Sequence, residues 1–301
     1  AVFAAIAQGE AEMASERLAI LSGLDAAGRE QVADGLARLD PAARFAFLDR
    51  LLGAAEVSAL LDFSAICRDC LHDPDVGVRA LAVSGLSEDA GDDLVEPLVD
   101  LAQHDPDAGV RSEAALALGS FALRAEFGQL RASAQTVVVE GLRAIAQDAA
   151  EEPTVQASAL ASAGVISEAW VQDLIFDAYE SDEPALRIGA LQAMGRTVDD
   201  YWLPTLLNAM ESADEDERIA AAHAAGEIGN EDALVALAEL LEDENLDVVQ
   251  AAALALGEIG GRVAAEHLEP YATHPHADVR AGVRSAIEQA AFADDPLGAG
   301  R

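Results

Sequence analysis

The 301-residue chain contains no lysine: its 18 basic residues are all Arg, set against 55 Asp and Glu for a formal net charge of −37. Binding a nucleic-acid backbone takes clustered cations that release counterions, and no such cluster occurs, so free nucleic acid is a poor partner. Like charges at this density repel within a Debye length of about 8 Å at physiological salt and much less at molar salt. Such a composition resembles proteins of salt-accumulating halophiles; a GC-rich genome that writes Arg for Lys is its other source. Cysteine is nearly absent too. Two in a chain this long give no disulfide framework and fit a reducing compartment. Aromatics are only 4%, which leaves few stacking platforms for a large conjugated ligand. Apolar runs fall short of the roughly 20 residues that span a bilayer, so no membrane partner is expected. The opening AVFAAIAQGEAEMASERLAIL carries acids and no basic leader, unlike a signal peptide. The expected location is the cytoplasm.

What is abundant is Ala and Leu. At 51% hydrophobic and a mean hydropathy of +0.16, the chain can bury a large core of helices packed through small side chains. The decisive feature is self-similarity. An acidic turn, a Val-Arg, a run of small apolar residues and a Gly recur as HDPDVGVRALAVSGLS, HDPDAGVRSEAALALG, EEPTVQASALASAG, DEPALRIGALQAMG, DEDERIAAAHAAG, ENLDVVQAAALALG and HPHADVRAGVRSAIE. Their anchors are Arg79, Arg111, Gln156, Arg187, Arg218, Val249 and Arg280, spaced 32, 45, 31, 31, 31 and 31. The 45-residue step is one 31-residue period plus 14 residues, placed near 121–136. A long connection there is either a functional loop or one that is merely tolerated.

Each period holds two helices. Asp75, Asp107, Asp214 and Asn245 stand four residues before their anchors, where an N-cap belongs. Glu152 and Glu183 hold that place ahead of Pro153 and Pro184, which suit the first helical turn. Glycines at Gly226–Gly229 and Gly257–Gly261 are expected to close the helices. The second helices, DLVEPLVDLAQ, AWVQDLIFDAY, YWLPTLLNAM and DALVALAELL, carry apolar residues at three- and four-residue spacing.

Paired helices of about 12 residues on a 31-residue period resemble the HEAT repeats, in the short form also found in phycobilin lyases and deoxyhypusine hydroxylases. The resemblance covers residues 57–290 as seven repeats and implies an all-α, right-handed α-solenoid of antiparallel helix pairs. Residues 1–56 lack the anchor motif and read as a divergent helical cap (Ala1–Leu21, Ala26–Leu39, Pro41–Leu52). Residues 291–301 read as a C-terminal tail. The resemblance also implies that Arg79, Arg111, Arg187, Arg218 and Arg280 form a structural ladder with N-capping acids of neighbouring repeats.

The resemblance does not extend to the hydroxylase's chemistry. That family holds two irons through repeated His-Glu dipeptides, and here His223 is followed by Ala224. No phosphate loop, HExxH or GxSxG motif occurs either. Cys67 and Cys70 form a CxxC followed by His72, without the second half that a four-ligand zinc site needs. With Phe63 they share one helix face, so they are expected in the core. Neither a cofactor nor a metal is expected.

The positions left free by the repeat are the informative ones. Counted from the anchor, positions −1, +3 and +7 must pack on neighbours, and +1, +2 and +5 lie opposite. Of the 21 residues at those three positions only Glu113 is charged, in a chain where 24% are. In HEAT proteins this helix lines the concave surface. The expectation is an uncharged groove carrying Leu81, Leu116, Ile188, Gln192, Ile219, His223 and Leu254, suited to an apolar or amphipathic protein segment. Crowding of small residues by tight curvature is the competing reading of the face, and a lyase-like enzyme subunit handling a large bound ligand is the alternative function.

Overall fold

The computed structural model describes residues 18–58, 60–87 and 89–294. Among these, every regular element is a helix, and none is long and apolar enough to cross a membrane. The chain divides into two compact units, Ala1–Ile145 and Ala146–Arg301. The division falls where the anchor spacing jumps to 45.

In the first unit α1 (Ala26–Leu36) and α2 (Pro41–Val57) precede α3 (Ser64–Cys70) and α4 (Val76–Ser84), followed by α5 (Val95–His104), α6 (Ala108–Glu126) and α7 (Ala132–Gln147). The 14 extra residues make no long loop. They lengthen α6 to 19 residues and α7 to 16, leaving residues 127–131 as the connection. The sequence there (FALRAEF, then ASAQTVVVEGLRAIAQ) simply continues a helical pattern without a breaker until Gly128. Of the expected cap helices, Ala1–Leu21 lies outside the described residues up to residue 17, and the tail from residue 295 lies outside them too.

The second unit stacks four regular pairs. The anchored helices α8 (Pro153–Ala163), α10 (Pro184–Arg196), α12 (Glu215–Ile228), α14 (Leu246–Ile259) and α16 (Ala277–Asp294) pack successively on one another. Alternating with them are the second helices α9 (Ala169–Tyr179), α11 (Leu203–Ala209), α13 (Leu234–Leu240) and α15 (Gly261–Leu268). Each anchored helix begins where the sequence puts its cap. Asp75 accepts the Val78 N–H, Asp107 that of Val110, Asp214 that of Asp216, and Asn245 those of Asp247 and Val248. Glu152 and Glu183 make no such side-chain bond, and the proline after each removes one orphan donor instead. The −1, +3 and +7 positions form the core, as in Val110, Ala114 and Leu118 or Val248, Ala252 and Leu256, all fully buried.

The glycines expected to close the helices divide into two duties. Gly229 and Gly260, at φ 74° and 76°, end α12 and α14. Gly226 and Gly257 lie inside those helices. A Cβ on Gly195 would sit 2.6 Å from Ala224 Cα, one on Gly226 2.9 Å from Ala255 Cα, and one on Gly257 2.9 Å from Ala286 Cα. The Gly at +8 of one repeat thus meets the Ala at +6 of the next, backbone against backbone. This contact sets how closely the anchored helices approach.

Candidate functional site

The anchor arginines do two things. Each donates Nη1 to a carbonyl six residues back, closing its own turn: Arg79 to Asp73, Arg111 to Asp105, Arg187 to Ser181, Arg218 to Ser212 and Arg280 to His274. Some also reach the next repeat. Arg79 makes a bidentate pair with Asp105 at 2.7 and 2.8 Å, and Arg218 one with Asp243 at 2.8 and 3.1 Å. The acid is not the N-cap, as the family resemblance implies, but the residue two before it. There its second task is to accept the backbone N–H of that cap, Asp107 or Asn245. Burial alone would raise the Asp105 and Asp243 carboxyls. Hydrogen bonds from Arg79 and Arg218, together with those backbone N–H groups, outweigh it and hold both below the usual range.

Where the acid is missing, the pairing is rebuilt. Ser212 occupies the acidic place ahead of Arg218, and Glu217 takes the charge from one turn further on. It accepts from Arg187 Nε and, through its other oxygen, from the Ser212 hydroxyl. A sixth arginine of the same kind lies in the supposed cap. Arg44 stands four residues after the N-cap Asp40, donates to the Leu39 carbonyl and pairs with Asp73 at 2.9 Å. Its motif, DPAAR, was legible in the sequence but falls 35 residues before Arg79, off the regular period.

The free face behaves differently along the chain. In α8 it is closed: Ala157, Ser158 and Ala161 are all buried. Gly189 packs against Ala157, so position +2 is a contact between neighbouring anchored helices rather than a free surface. Crowding therefore accounts for this stretch. In the first unit Leu81 is half-buried beside Leu52 and Ser84 in a depression of about 950 Å³, and Leu116 on α6 is 38% exposed.

Further along the second unit the face opens. Ile188 and Ile219 are half-buried, Gln192 is exposed, His223 is half-buried, and Leu254 is 43% exposed. Ile219, His223, Ala251, Leu254, Ser285 and Ala286, with Asp247, Gln250 and Gly282, line an open depression of about 370 Å³ across α12, α14 and α16. Burial pushes the His223 imidazole down, with Glu227 opposing, which favours the neutral ring at pH 7.

The face is not uncharged throughout. One turn beyond position +5 lie Arg196, Glu227 and Glu258 at +9, on the same side of α10, α12 and α14 by helix geometry. Burial raises the Glu227 carboxyl, Arg196 opposes, and Glu258 adds to the rise; burial alone raises Glu258. Their carboxylates rest over the glycines of the preceding repeat, Glu227 against Gly195 and Glu258 against Gly226. The free-face positions stop one turn short of this border.

Cys67 and Cys70 are buried free thiols in α3. Burial first pushes each up to about 12, with Cys70 adding next at Cys67 and the acids Asp73 and Asp69 at Cys70, so neither is a ready nucleophile. Among the described residues no group of three or more His, Cys, Asp or Glu is placed to hold a metal ion.

Compared with known proteins, the chain matches the family profile of HEAT repeats over residues 65–151 and 203–288. No curated protein matches it in sequence. Among solved structures it is similar to human deoxyhypusine hydroxylase in complex with glycerol, with 19% identity over 88% of this chain and 97% of that one and a TM-score of 0.41. It is similar also to yeast importin-β (Kap95p), with 15% identity over 90% of this chain and 42% of that one and a TM-score of 0.49. Kap121p bound to Pho4p is a further match, with 15% identity over 87% of this chain and 33% of that one and a TM-score of 0.48.

Proposed function

The chain belongs to the HEAT-repeat family, and from that premise we propose that it is a protein-binding scaffold. The anchored-helix face of its second unit receives an apolar or amphipathic segment of a partner protein. The observation that carries this reading is the open depression around Leu254. In a chain with 55 acidic residues, Asp247 is its only charged lining residue. Leu254 keeps 43% of its surface in water, with Ile219 and His223 beside it. An enzyme handling a large bound ligand calls for a cavity that encloses most of the ligand and converges polar groups on it. The open, largely apolar floor of Ile219, Ala251, Leu254 and Ala286 suits a segment laid across it.

Leu254 is the position on which to test this. Ile188 and Ile219 are half-buried, so an Asp at either would mix unfolding with lost binding. Leu254→Asp alters an exposed side chain, and such changes usually stay within about ±0.5 kcal/mol of stability. The variant is expected to keep its helicity by circular dichroism. It is also expected to lose the partner that the unaltered chain captures from its native cell at native salt, because binding would desolvate the new charge. A folded variant that captures the same partner equally well would refute the assignment.

A further inference from the structure

A second surface of the same unit stands apart from the anchored face. Although the chain is only 4% aromatic, three aromatic rings meet between neighbouring second helices. Phe176 of α9 lies 4.8 Å from Trp202 and 6.2 Å from Tyr201, and the two rings of the 3-10 turn Asp200–Trp202 are 5.1 Å apart. Trp202 is the buried base, 1% exposed, whereas Phe176 is 46% and Tyr201 65% exposed. Folding does not require those two rings to face water. They stand edge to face, at 79°, leaving π surface open.

The turn that presents Tyr201 is held firmly. Thr197 donates its hydroxyl to the Met194 carbonyl and accepts the Asp199 N–H, and Asp199 in turn accepts the Tyr201 N–H. Val198 between them is exposed and sits at φ 51°, a left-handed conformation that a β-branched residue rarely adopts. Four carboxylates neighbour the rings along the chain. Asp173 of α9 and the C-cap residue Glu180 lie one turn before and one turn after Phe176, on its side of the helix. Asp199 and Asp200 immediately precede Tyr201, and all four are exposed.

Asp199 already accepts the Tyr201 N–H and Asp200 a hydrogen bond from the Asn230 amide, but an apolar occupant would strip water from the exposed Asp173 and Glu180 without replacing it. A cation satisfies both halves of the patch, and a guanidinium does so best because it stacks on a ring while donating sideways to carboxylates. The chain already shows one such seat, with Arg124 held 5.5 Å from the Phe121 ring centroid. We propose that Phe176 and Tyr201, with their fringe of carboxylates, form a docking site for an arginine-bearing segment of a partner protein. This site is independent of the Leu254 depression.

The test must separate this site from the general attraction of a −37 protein for any polycation. Three capped peptides of one sequence, carrying Arg, Lys or citrulline at alternate positions, would be titrated into the whole chain by calorimetry at a salt concentration where it is folded. The Arg peptide is expected to bind several-fold more tightly than the Lys peptide, and the citrulline peptide to show no binding. Tyr201→Ser, at an exposed position, should weaken the Arg peptide about tenfold, as a lost cation–π seat predicts. Adding Phe176→Ser should weaken it further, whereas Tyr201→Phe should restore it and Leu254→Asp should leave it unchanged. Equal binding of the Arg and Lys peptides, or a folded Tyr201→Ser variant that binds as the unaltered chain does, would reduce the effect to bulk charge and overturn the proposal. So would loss of binding in Leu254→Asp alone.

Discussion

Removing one guanidinium from the arginine ladder leaves its acid stranded. Asp105 is 5% exposed and Arg79 8%, so Arg79→Met would keep most of the packing and strip a buried carboxylate of its bidentate partner. Breaking such a pair costs about 3 kcal/mol or more, and chemical denaturation of the variant should read a loss of that size. A loss under about 0.5 kcal/mol would place the pair with ordinary surface ion pairs. At this scale the sequence was partly legible. The anchors announced themselves by period, and the burial of Cys67 and Cys70 followed from their spacing with Phe63. The acceptor of the ladder did not: the acid two before the cap is visible in HDPDVGVR and HDPDAGVR, but spacing alone does not say which of the two acids the Arg takes. Glu217 shows why: it serves in place of Ser212 from five positions further along, a substitution that no fixed spacing describes.

Among the elements, what the sequence shows as one motif glycine is a contact between helices. Gly226→Ala would drive a methyl to within 2.9 Å of Ala255 Cα and 2.4 Å of the Glu258 carboxylate. The carboxylate can swing away but the backbone cannot, so the repeat interface should open at a cost of about 1–3 kcal/mol, the range for overpacking. Gly53, with nothing near its Cβ position, is the control: Gly53→Ala inside α2 should leave the thermal midpoint unchanged or raise it. Equal midpoints for the two variants would show that the close approach does not matter. The two-helix period, the N-caps and the prolines were readable because each follows from local backbone chemistry. The 14 extra residues were not read correctly, since nothing local distinguishes a longer helix pair from an inserted loop. The closed face of α8 was legible only as the competing reading, crowding by small residues, because the choice depends on how tightly Gly189 lets its neighbour approach.

For the whole molecule the dominant fact is a charge of −37. Repulsion at that density opposes compactness and is screened by salt, so the thermal midpoint should be higher in about 2 M KCl than in about 0.1 M KCl. An unchanged midpoint would leave the missing lysines to codon composition. The same charge gives meaning to the largely uncharged depression in the second unit, which is the central functional claim. A photo-reactive amino acid placed at Leu254 probes it most directly, with the same residue at Val235, 66% exposed on α13, as control. In native cells at native salt, the account predicts one discrete cross-linked protein from position 254, competed away by an excess of the unaltered chain and not by Leu254→Asp, and none from position 235. Cross-links of equal yield from both positions, or a product at 254 that Leu254→Asp competes equally well, would contradict it.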